Sequence, residues 1–373
     1  MQTSTQKLDK TFRDLVPLRG WRITKTEPGG LYDCSLIVAT FKRPAETSSL
    51  VALLATMPDT PVEVVIVDGS PSDETERALL DLSRNLRLSF DLVYVQSPKG
   101  LTRQRNVGVD ISTKSILFFL DDDALPMDKY FSELAHALQQ NSSGQVGAVG
   151  ACIVNEIHKP ISRRWQIRRA IGLIPKSEPL IYNHAGTSAP TGLLKPFSGT
   201  RDVDIFPGGA CAIRREVFES MRFSEFFAGY SWGEDLEMSL RIRRHWRVLC
   251  CGDARVFHRG LDSAGGRPAP FTKGQMEIRN RYFIWKRHSP EADLVDRLRF
   301  HLDLLFLFGM DVAWFAYRPW QYQHFLHACG ILSGAASCVV APPKCQEPMT
   351  FLRYRLAESR SSSGLSKYQT QPG

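Results

Sequence analysis

Three consecutive aspartates, Asp121, Asp122 and Asp123, directly follow an apolar run at residues 115–120, "SILFFL". Like charges this close repel one another, so a neighbouring cation would stabilise them. Asp121 and Asp123, with one residue between them, suit Mg²⁺ or Mn²⁺, which prefer oxygen ligands and are often completed by substrate phosphates. The pattern indicates a divalent-metal site for a phosphorylated ligand. The simpler interpretation is a solvated acidic turn at the end of a strand.

The elements around this triplet alternate between two kinds of pattern. Continuous apolar runs typical of buried parallel strands occupy 34–40, 62–70, 92–96 and 115–120, and helical patterns separate them. Strand and helix in regular alternation predict a doubly wound α/β sheet. In such sheets the ligand site lies beyond the carboxyl ends of the strands. Three of the predicted strands end in polar groups, in "VATFKRP", "VIVDGS" and "FFLDDDA", so these groups should meet at one edge.

Composition limits the class of protein. The chain has 373 residues, 43% of them hydrophobic, which is enough for a large core and excludes a disordered protein. The net charge of +8 is compatible with nucleic acid, anionic lipid or phosphorylated small molecules, but no nucleic-acid motif is present. The eight cysteines show no zinc spacing, and the polar start of the sequence lacks a secretory signal. These features predict a reducing, cytoplasmic location.

The second half of the chain is less regular. A fifth strand is predicted at 146–154, a helix at 233–246, and a strand that ends at His258. Between them, residues 155–205 mix Pro, Gly and basic clusters, and a stretch this irregular is usually functional or mobile. Within it, 156–172 interleaves cations with large apolar residues, which suits contact with an anionic membrane; the alternative is a surface loop whose arginines are merely solvated.

The ordered set of motifs resembles family 2 glycosyltransferases, the inverting enzymes of the GT-A fold. The set consists of "VATFKRP", "VVIVDGSPSD", "RQRNVG", "FFLDDDALP", "FPGGACAIRREVF", "GEDLEMSLRIRR" and "VFHRG". It covers roughly residues 33–290, and it is the order of the motifs, more than any one of them, that is specific. The resemblance implies a nucleotide-sugar donor, a Mn²⁺ or Mg²⁺ cofactor, and a saccharide or lipid-linked acceptor.

The resemblance also implies roles for individual residues. On the donor side, Thr40 and Arg43 would line the nucleotide pocket, Asp68 would contact the base and ribose, and Arg105 and Asn106 would brace the nucleotide and the acidic motif. Asp121 and Asp123 would hold the metal, with His258 as a further ligand or a diphosphate contact, and Asp122 as a ribose or supporting contact. On the acceptor side, Gly208 and Gly209 would let the backbone approach the bound sugar. Asp235 would be the catalytic base and Glu234 would orient the base or the acceptor.

The sequence departs from the family pattern at two points. The acidic motif has three aspartates, and the second strand ends in "VDGS" with one aspartate where many relatives carry two, which leaves the detailed nucleotide contacts open. Two alternatives are a sugar-1-phosphate nucleotidyltransferase and a non-catalytic sugar-binding relative. The first would need a glycine-rich loop after the first strand, but "ATFKRPAE" has no glycine. A dehalogenase-type phosphatase is disfavoured by Leu125, where Thr or Val would be expected.

Four segments are predicted. Residues 1–32 form an irregular lead-in, 33–290 the GT-A catalytic domain, 291–354 a helical C-terminal extension, and 355–373 a disordered tail. The apolar stretches "LLFLFGMDVAWFAY" and "ACGILSGAASCVVAPP" are shorter than the roughly 20 residues of a membrane-spanning helix. They would pack on the catalytic domain or lie in a membrane interface. The second possibility would place the protein on the inner face of the plasma membrane.

Overall fold

The computed structural model describes residues 15–140, 145–157, 159–227, 231–260, 268–343 and 352–357. Its strands are β1 (Leu15–Leu18), β2 (Gly20–Ile23), β3 (Leu31–Thr40), β4 (Pro61–Asp68), β5 (Asp91–Gln96), β6 (Ile116–Asp121), β7 (Ala124–Pro126), β8 (Val146–Ile153), β9 (Tyr182–Asn183), β10 (Thr187–Ser188), β11 (Thr200–Asp202), β12 (Ala210–Arg214), β13 (Arg247–His258) and β14 (Arg353–Leu356). Its helices are α1 (Pro44–Thr56), α2 (Glu74–Ser83), α3 (Leu101–Ile111), α4 (Tyr130–Gln139), α5 (Arg163–Ala170), α6 (Val217–Ser220), α7 (Glu234–Arg243), α8 (Pro270–His288), α9 (Leu294–Tyr317) and α10 (Gln323–Val340).

A single large sheet organises the described residues. Its spatial order is β11-β13-β8-β12-β6-β3-β4-β5-β2, and β7 pairs with β13 beside this path. The pairs β3–β4, β3–β6, β4–β5 and β8–β13 are parallel, while β12 is antiparallel to both of its neighbours. Every residue of β4 is buried, as its continuous apolar run predicts for a parallel strand covered on both faces.

The parallel part of the sheet places the site. Its spatial order is β5-β4-β3-β6. From β3 the chain adds β4 and then β5 on one side, and then returns to add β6 on the other side of β3, so the winding direction reverses between β3 and β6. A crevice opens beyond the carboxyl ends of the strands at such a reversal, and ligands bind there. Thr40 ends β3 and Asp121 ends β6, so the first polar loop and the acidic triplet both face this crevice.

The helices cover both faces of the sheet, which confirms the predicted doubly wound architecture. On one face α1, α2 and α4 pack over alternate strand residues, with Leu54 and Phe131 fully buried. On the other face α3, α6 and α7 do the same, with Val107 and Met238 fully buried. The alternation is visible within β4, since neighbouring residues of that strand belong to opposite cores.

The predicted irregular lead-in and disordered tail are wrong where the structure describes them. Strand β2 pairs antiparallel with β5 and closes the edge of the sheet, where Trp21 stacks on Tyr94 with ring centroids 5.5 Å apart. Strand β14 pairs in parallel with β1. Four-residue strands carry too little pattern to be recognised locally. Strand β2 forms because the edge strand β5 supplies unpaired backbone groups, whereas β1 and β14 supply them to each other in a separate two-stranded sheet. Residues 1–14 and 358–373 lie outside the described part.

The C-terminal extension is helical, as predicted. Helix α10 packs closely on α8, and α9 packs on α10. Helix α5, from the segment predicted to be irregular, runs along α9 in the opposite direction: the Arg164 guanidinium donates to the Leu307 carbonyl and Arg299 donates to the Gly172 carbonyl. The 155–205 region and the extension therefore form one wall beside the sheet edge.

Candidate active site

A cavity of about 790 Å³ opens at the carboxyl edge of the sheet. One side is built by the ends of β3 and β6, the start of α3 and the end of β13. The other is built by the loop before β12, the start of α7, helix α8 and parts of the 155–205 region. Of the thirteen residues predicted for the site, eleven line the cavity: Thr40, Arg43, Arg105, Asp121, Asp122, Asp123, Gly208, Gly209, Glu234, Asp235 and His258.

Asp121, Asp123 and His258 form a compact trio. Their ligand atoms all lie within 4.8 Å of one another, and His258 Nε2 is 3.1 Å from Asp123 Oδ1 and 3.8 Å from Asp121 Oδ2. The hydrogen bond to Asp123 raises the pKa of His258. Asp121 ends β6, Asp123 lies two residues further on, and His258 ends β13. Two strand ends that are far apart in the chain therefore deliver the trio to one point. The two carboxylates are ligands that suit Mn²⁺ or Mg²⁺, and the imidazole is a nitrogen ligand that transition metals accept more readily than Mg²⁺ does.

Asp122 points away from the trio into the protein. Its Oδ2 accepts a hydrogen bond from the Thr40 hydroxyl at 2.8 Å, and its Oδ1 accepts one from Arg43 at 2.6 Å. Burial raises the pKa of Asp122 to about 6 against the opposing effects of Arg43 and Thr40. Both oxygens thus tie the acidic turn to the loop after β3, an arrangement that favours the supporting role over the ribose contact.

Arg105 links the two halves of the site. It lies on α3, only 3% exposed, and its guanidinium is 3.3 Å from Asp121 Oδ1 on one side and 3.1 Å from Glu234 Oε1 on the other. The aromatic ring of Phe223 supports it from 5.4 Å. A buried cation between two carboxylates offsets their mutual repulsion. The same residue therefore fixes the acidic turn relative to the start of α7.

Glu234 and Asp235 occupy the first turn of α7. Burial and the neighbouring Asp235 raise the pKa of Glu234 to about 8. Burial also raises the pKa of Asp235, whose Oδ1 accepts the Leu236 N–H at 2.8 Å and whose Oδ2 lies 3.4 Å from the Gly208 nitrogen. A carboxylate with a raised pKa is a better proton acceptor at neutral pH than an ordinary aspartate.

Gly208 and Gly209 are required by close approach to protein side chains. A Cβ at Gly209 would lie 2.0 Å from Asp121 Oδ2, and a Cβ at Gly208 would lie 2.7 Å from the Asp235 Cβ and 3.0 Å from Arg105. The sequence prediction gave these glycines the task of approaching the bound sugar. The structure adds a more immediate one: the metal-side and base-side carboxylates pack against them.

Two predicted site residues do not reach the cavity. Asp68 is fully buried, accepts hydrogen bonds from the Ser70 backbone and hydroxyl, and accepts one from the Tyr94 hydroxyl at 3.1 Å. Asn106 exchanges two hydrogen bonds with the Phe223 backbone. In this structure Asp68 shapes the turn after β4 and Asn106 anchors the loop that carries Phe223, so neither side chain is aimed at the space predicted for the nucleotide.

The sequence prediction missed several donor-side residues. Gln104 Nε2 donates to the carbonyls of Thr40 and Val67 at 2.8 Å and so ties together the ends of β3 and β4. Lys99 lies over the Phe41 ring at 4.3 Å, and both line the cavity. The segments "PKG" and "RQRN" do not by themselves indicate these contacts, because the contacts join segments that are distant in the sequence.

A second wall of the cavity, on the side where the sequence predicts the acceptor, was also missed, and we call it the acceptor wall. It comprises Trp165, Arg168, Tyr182, Trp232, Glu277 and Arg281. These residues come from α5, β9, α8 and the loop before α7. Asp303 of α9 holds both arginines in place: Arg168 donates to its two oxygens, and Arg281 donates to Oδ2 at 2.7 Å. The wall thus needs the C-terminal extension to be complete.

A doubly wound sheet, an acidic trio at its switch point and a carboxylate pair across the cavity are the features expected of the GT-A fold that the sequence resembles. The chain belongs to glycosyl transferase family 2, whose profile matches residues 35–222, just over half of the sequence. This membership confirms the predicted family and sets aside the nucleotidyltransferase alternative. The matched range includes every donor-side residue named above except His258.

Curated relatives match parts of the chain. A succinoglycan biosynthesis protein, ExoM, of Rhizobium meliloti is 29% identical over 34% of this chain and 40% of its own length. A GalNAc(5)-diNAcBac-PP-undecaprenol beta-1,3-glucosyltransferase of Campylobacter jejuni is 25% identical over 52% of this chain and 56% of its own. The chain therefore spans between about a third and somewhat over half of the length of the curated relatives it matches.

Among solved structures, a mannosyltransferase from Pyrobaculum calidifontis in complex with GDP-Man and Mn²⁺ is similar with a TM-score of 0.47 and 16% identity. That alignment covers 89% of this chain and 92% of the other. Staphylococcus aureus TarS is similar with a TM-score of 0.41 and 17% identity, over 82% of this chain and 91% of the other.

Proposed function

We propose that the protein is an inverting, metal-dependent glycosyltransferase that moves a sugar from a nucleotide-diphosphate-sugar to a saccharide or lipid-linked acceptor. One observation carries the proposal. A single cavity has the trio of Asp121, Asp123 and His258 on one wall and Glu234 and Asp235 on the other, with Arg105 between them. The trio suits a diphosphate leaving group, and the pair suits a proton acceptor for the incoming hydroxyl.

Asp121, Asp123 and His258 would hold Mn²⁺ or Mg²⁺. When bound, the ion would offset the charge that develops on the departing nucleoside diphosphate, so that no acid residue is needed for leaving-group departure. Arg43 and Asp122 hold the acidic turn from behind, and Lys99 brings a further cation to the same side of the cavity. These contacts support a pocket for a polyanionic donor.

Inversion needs one base on the face opposite the leaving group. The acceptor hydroxyl attacks the anomeric carbon, the bond to the diphosphate oxygen breaks, and the hydroxyl proton passes to the base. We assign that role to Asp235, whose pKa is raised by burial. Burial and the neighbouring Asp235 raise the pKa of Glu234, and Arg105 holds its side chain at 3.1 Å, so we assign it the task of orienting the acceptor or the base.

The acceptor wall supports a saccharide. Trp165, Tyr182 and Trp232 offer aromatic faces, while Glu277 and Arg281 offer polar groups to hydroxyls. Aromatic faces beside a small number of fixed polar groups are typical of small-molecule sites. The names of the relatives, one in succinoglycan biosynthesis and one acting on an undecaprenol-linked acceptor, suggest surface polysaccharide or glycoconjugate synthesis for this chain too. The seven described cysteines are free, which fits a cytoplasmic location.

The test is a donor screen on the purified full chain. Nucleotide-sugars would be supplied with Mn²⁺, with Mg²⁺ or with chelator, and release of nucleoside diphosphate would be measured with and without saccharide acceptors. We expect one donor to react in a metal-dependent manner. A protein that binds donors but neither hydrolyses nor transfers any of them would instead be the non-catalytic relative.

The base assignment has its own variant. Asp235→Asn keeps the shape of the side chain but cannot accept the proton, so kcat should fall by roughly two to four orders of magnitude with donor Kd nearly unchanged. Glu219→Gln, an exposed carboxylate on α6, is the matched control and should retain full activity. A large loss of donor affinity in Asp235→Asn would make Asp235 a donor ligand and require another base.

A further inference from the structure

Helix α9 has its polarity reversed. Its buried face carries Phe300, Asp303, Leu307 and Asp311, so two charged residues lie inside. Its outer face carries Leu294, Leu298, Leu302, Leu305, Gly309, Val312 and Ala316, all exposed and spaced three or four residues apart. In a helix that meets water, the apolar stripe faces the core and the charges face the solvent. The exposed fractions of Leu294, Leu298 and Leu305 are 81%, 56% and 62%.

The buried aspartates are matched by the protein, so this polarity is part of the fold. Asp303 receives Arg168 and Arg281, and Asp311 receives the ring nitrogens of His324 and His327. The helix is held by its polar side and therefore presents its apolar side outward. The apolar stripe from Leu294 to Ala316 is about 33 Å long at 1.5 Å per residue. Among the described residues, α9 is the helix long and apolar enough to cross a membrane, and only 22% of its apolar window is buried.

The surroundings of the stripe indicate what covers it. At the C-terminal end of α9, four exposed aromatics cluster, namely Trp314, Tyr317, Trp320 and Tyr322. Alongside α9, the segment 157–177 holds six cations and no acidic residue, and Lys159, Arg163 and Lys176 among them are exposed. Exposed Ile167 and Ile171 lie between these cations. Apolar area flanked by aromatics and cations suits the headgroup region of an anionic bilayer.

We propose that the outer face of α9, with the exposed cations of 157–177 beside it, is a docking surface for an anionic lipid bilayer. The helix lies in the plane of the membrane, because its polar side is fixed to Arg168, Arg281 and His327 and cannot enter lipid. Arg164 and Arg168 bind α9, Arg169 donates to the Ile174 carbonyl, and Lys159 pairs with Glu156. The exposed cations left to meet lipid phosphates are therefore Arg163 and Lys176. The cavity opens beside this surface, since Trp165 of α5 lines it.

The test is vesicle flotation with the full chain, at low and high salt. One set of vesicles contains phosphatidylcholine alone, and the other also contains about 30% phosphatidylglycerol. We expect binding to the anionic vesicles at low salt, weaker binding at high salt, and little binding to the neutral ones. The double variant Leu298→Glu/Leu305→Glu should lower partitioning at least ~10-fold, since it removes two apolar contacts and adds two negative charges. Both positions are exposed, so its far-ultraviolet circular dichroism and melting curve should match the wild type.

Two further variants separate the contributions. Arg163→Gln should lower partitioning to anionic vesicles about fivefold, the equivalent of about 1 kcal/mol per cation, and leave partitioning to neutral vesicles unchanged. Tyr32→Glu adds a charge at an exposed apolar residue at the start of β3, far from α9, and should bind like the wild type. These readouts measure partitioning and not activity, so they stand or fall independently of the proposed reaction.

Three results would overturn the proposal. The first is wild-type protein that stays with the soluble fraction at low salt in the presence of anionic vesicles. The second is a Leu298→Glu/Leu305→Glu variant that still binds as the wild type does. The third is evidence that a second copy of the chain covers the outer face of α9. Light scattering would then show a dimer of the wild type and a monomer of the Leu298→Glu/Leu305→Glu variant.

Discussion

The protein contains two groups of clustered acidic side chains in opposite surroundings. At the edge of the sheet, Asp121 keeps 34% of its side chain exposed to the cavity, beside Asp123 and His258. In the C-terminal wall, Asp303 is fully buried and its two oxygens receive N–H groups from Arg168 and Arg281. The first group faces a space where a ligand can enter, and the second is closed by the protein's own cations.

The difference shows how to separate a site from a structural ion pair. Burial tends to raise the pKa of Asp303, but the hydrogen bonds and charges of Arg168 and Arg281 outweigh burial and lower it. An acidic cluster that is matched internally holds helices together, whereas one that opens to a cavity can hold a cation. Removing one carboxylate from each group should therefore affect different measurements.

The largest effect is expected on catalysis from Asp123→Asn. The change removes a charge from the metal trio, so kcat/KM should fall by about two to three orders of magnitude, or about 3–4 kcal/mol of transition-state stabilisation. Initial rates at saturating Mn²⁺ over a range of donor concentrations are the measurement, and Asp128→Asn, exposed on the neighbouring loop, is the control. Unchanged turnover in Asp123→Asn, or full turnover of the wild type in excess chelator, would contradict the assignment of the acidic trio as a metal site.

Asp303→Asn should have the next largest effect, on stability. It leaves two buried guanidinium groups without their counter-ion, which costs about 3 kcal/mol in the free energy of unfolding. Urea unfolding of the two variants should show a much larger loss for Asp303→Asn than for Asp123→Asn. The control is Asp296→Asn on the same helix, whose partner Arg299 is partly solvated, and which should cost at most ~0.5 kcal/mol. Equal losses for Asp296 and Asp303 would contradict the closed-cluster assignment.

The smallest effect concerns pH. Hydrogen bonds to Asp311 and Glu277 raise the pKa of His327 to about 9. Because the folded pKa lies above the unfolded value of about 6.5, the stabilisation is fully present below pH ~6.5 and is lost as pH rises through about 9. After allowance for solvent screening we expect a loss of about 1 kcal/mol across this window.

The variant His327→Gln isolates that contribution, since other groups titrate in the same range. Subtracting its unfolding free energy from that of the wild type at each pH should give a difference that declines from pH 6.5 to 9. A difference that stays constant would mean that His327 does not change its charge on this cluster. Glu277→Gln should reduce the slope of the difference, because it removes one of the two carboxylates that favour the charged imidazole.

Much of the sheet and the donor side could be predicted from local sequence. Buried parallel strands appear as apolar runs, and polar residues directly after such runs must lie at the carboxyl edge, which is how Thr40, Asp121 and Asp123 were found. Asp68 is an exception to this pattern. Asp68 occupies the same kind of position after β4, but Ser70 and Tyr94 use its oxygens, and nothing in "VIVDGS" shows that Tyr94 will be there.

The acceptor wall could not be predicted because it rests on contacts between distant segments. Trp165 and Arg168 belong to a stretch without a strong periodic pattern, and Arg168 is positioned by a carboxylate 135 residues away. The membrane-facing interpretation of 156–172 treated all four arginines of α5 alike. The structure divides them, since Arg164 and Arg168 bind α9 and Arg163 is exposed. The reversed polarity of α9 becomes visible only when its buried face is known.

The separation of Arg168 and Asp303 along the sequence has a consequence for how the protein folds during its synthesis. A ribosome adds roughly 5–20 residues per second, so the 135 residues that separate them take roughly 7–27 s to synthesise. During that interval the nascent chain has its β3, β4, β5 and β6 segments but no α9. The part of the sheet that carries Asp121 and Asp123 can fold first, and the wall that includes Arg168 is complete only when Asp303, in the last quarter of the chain, has been made.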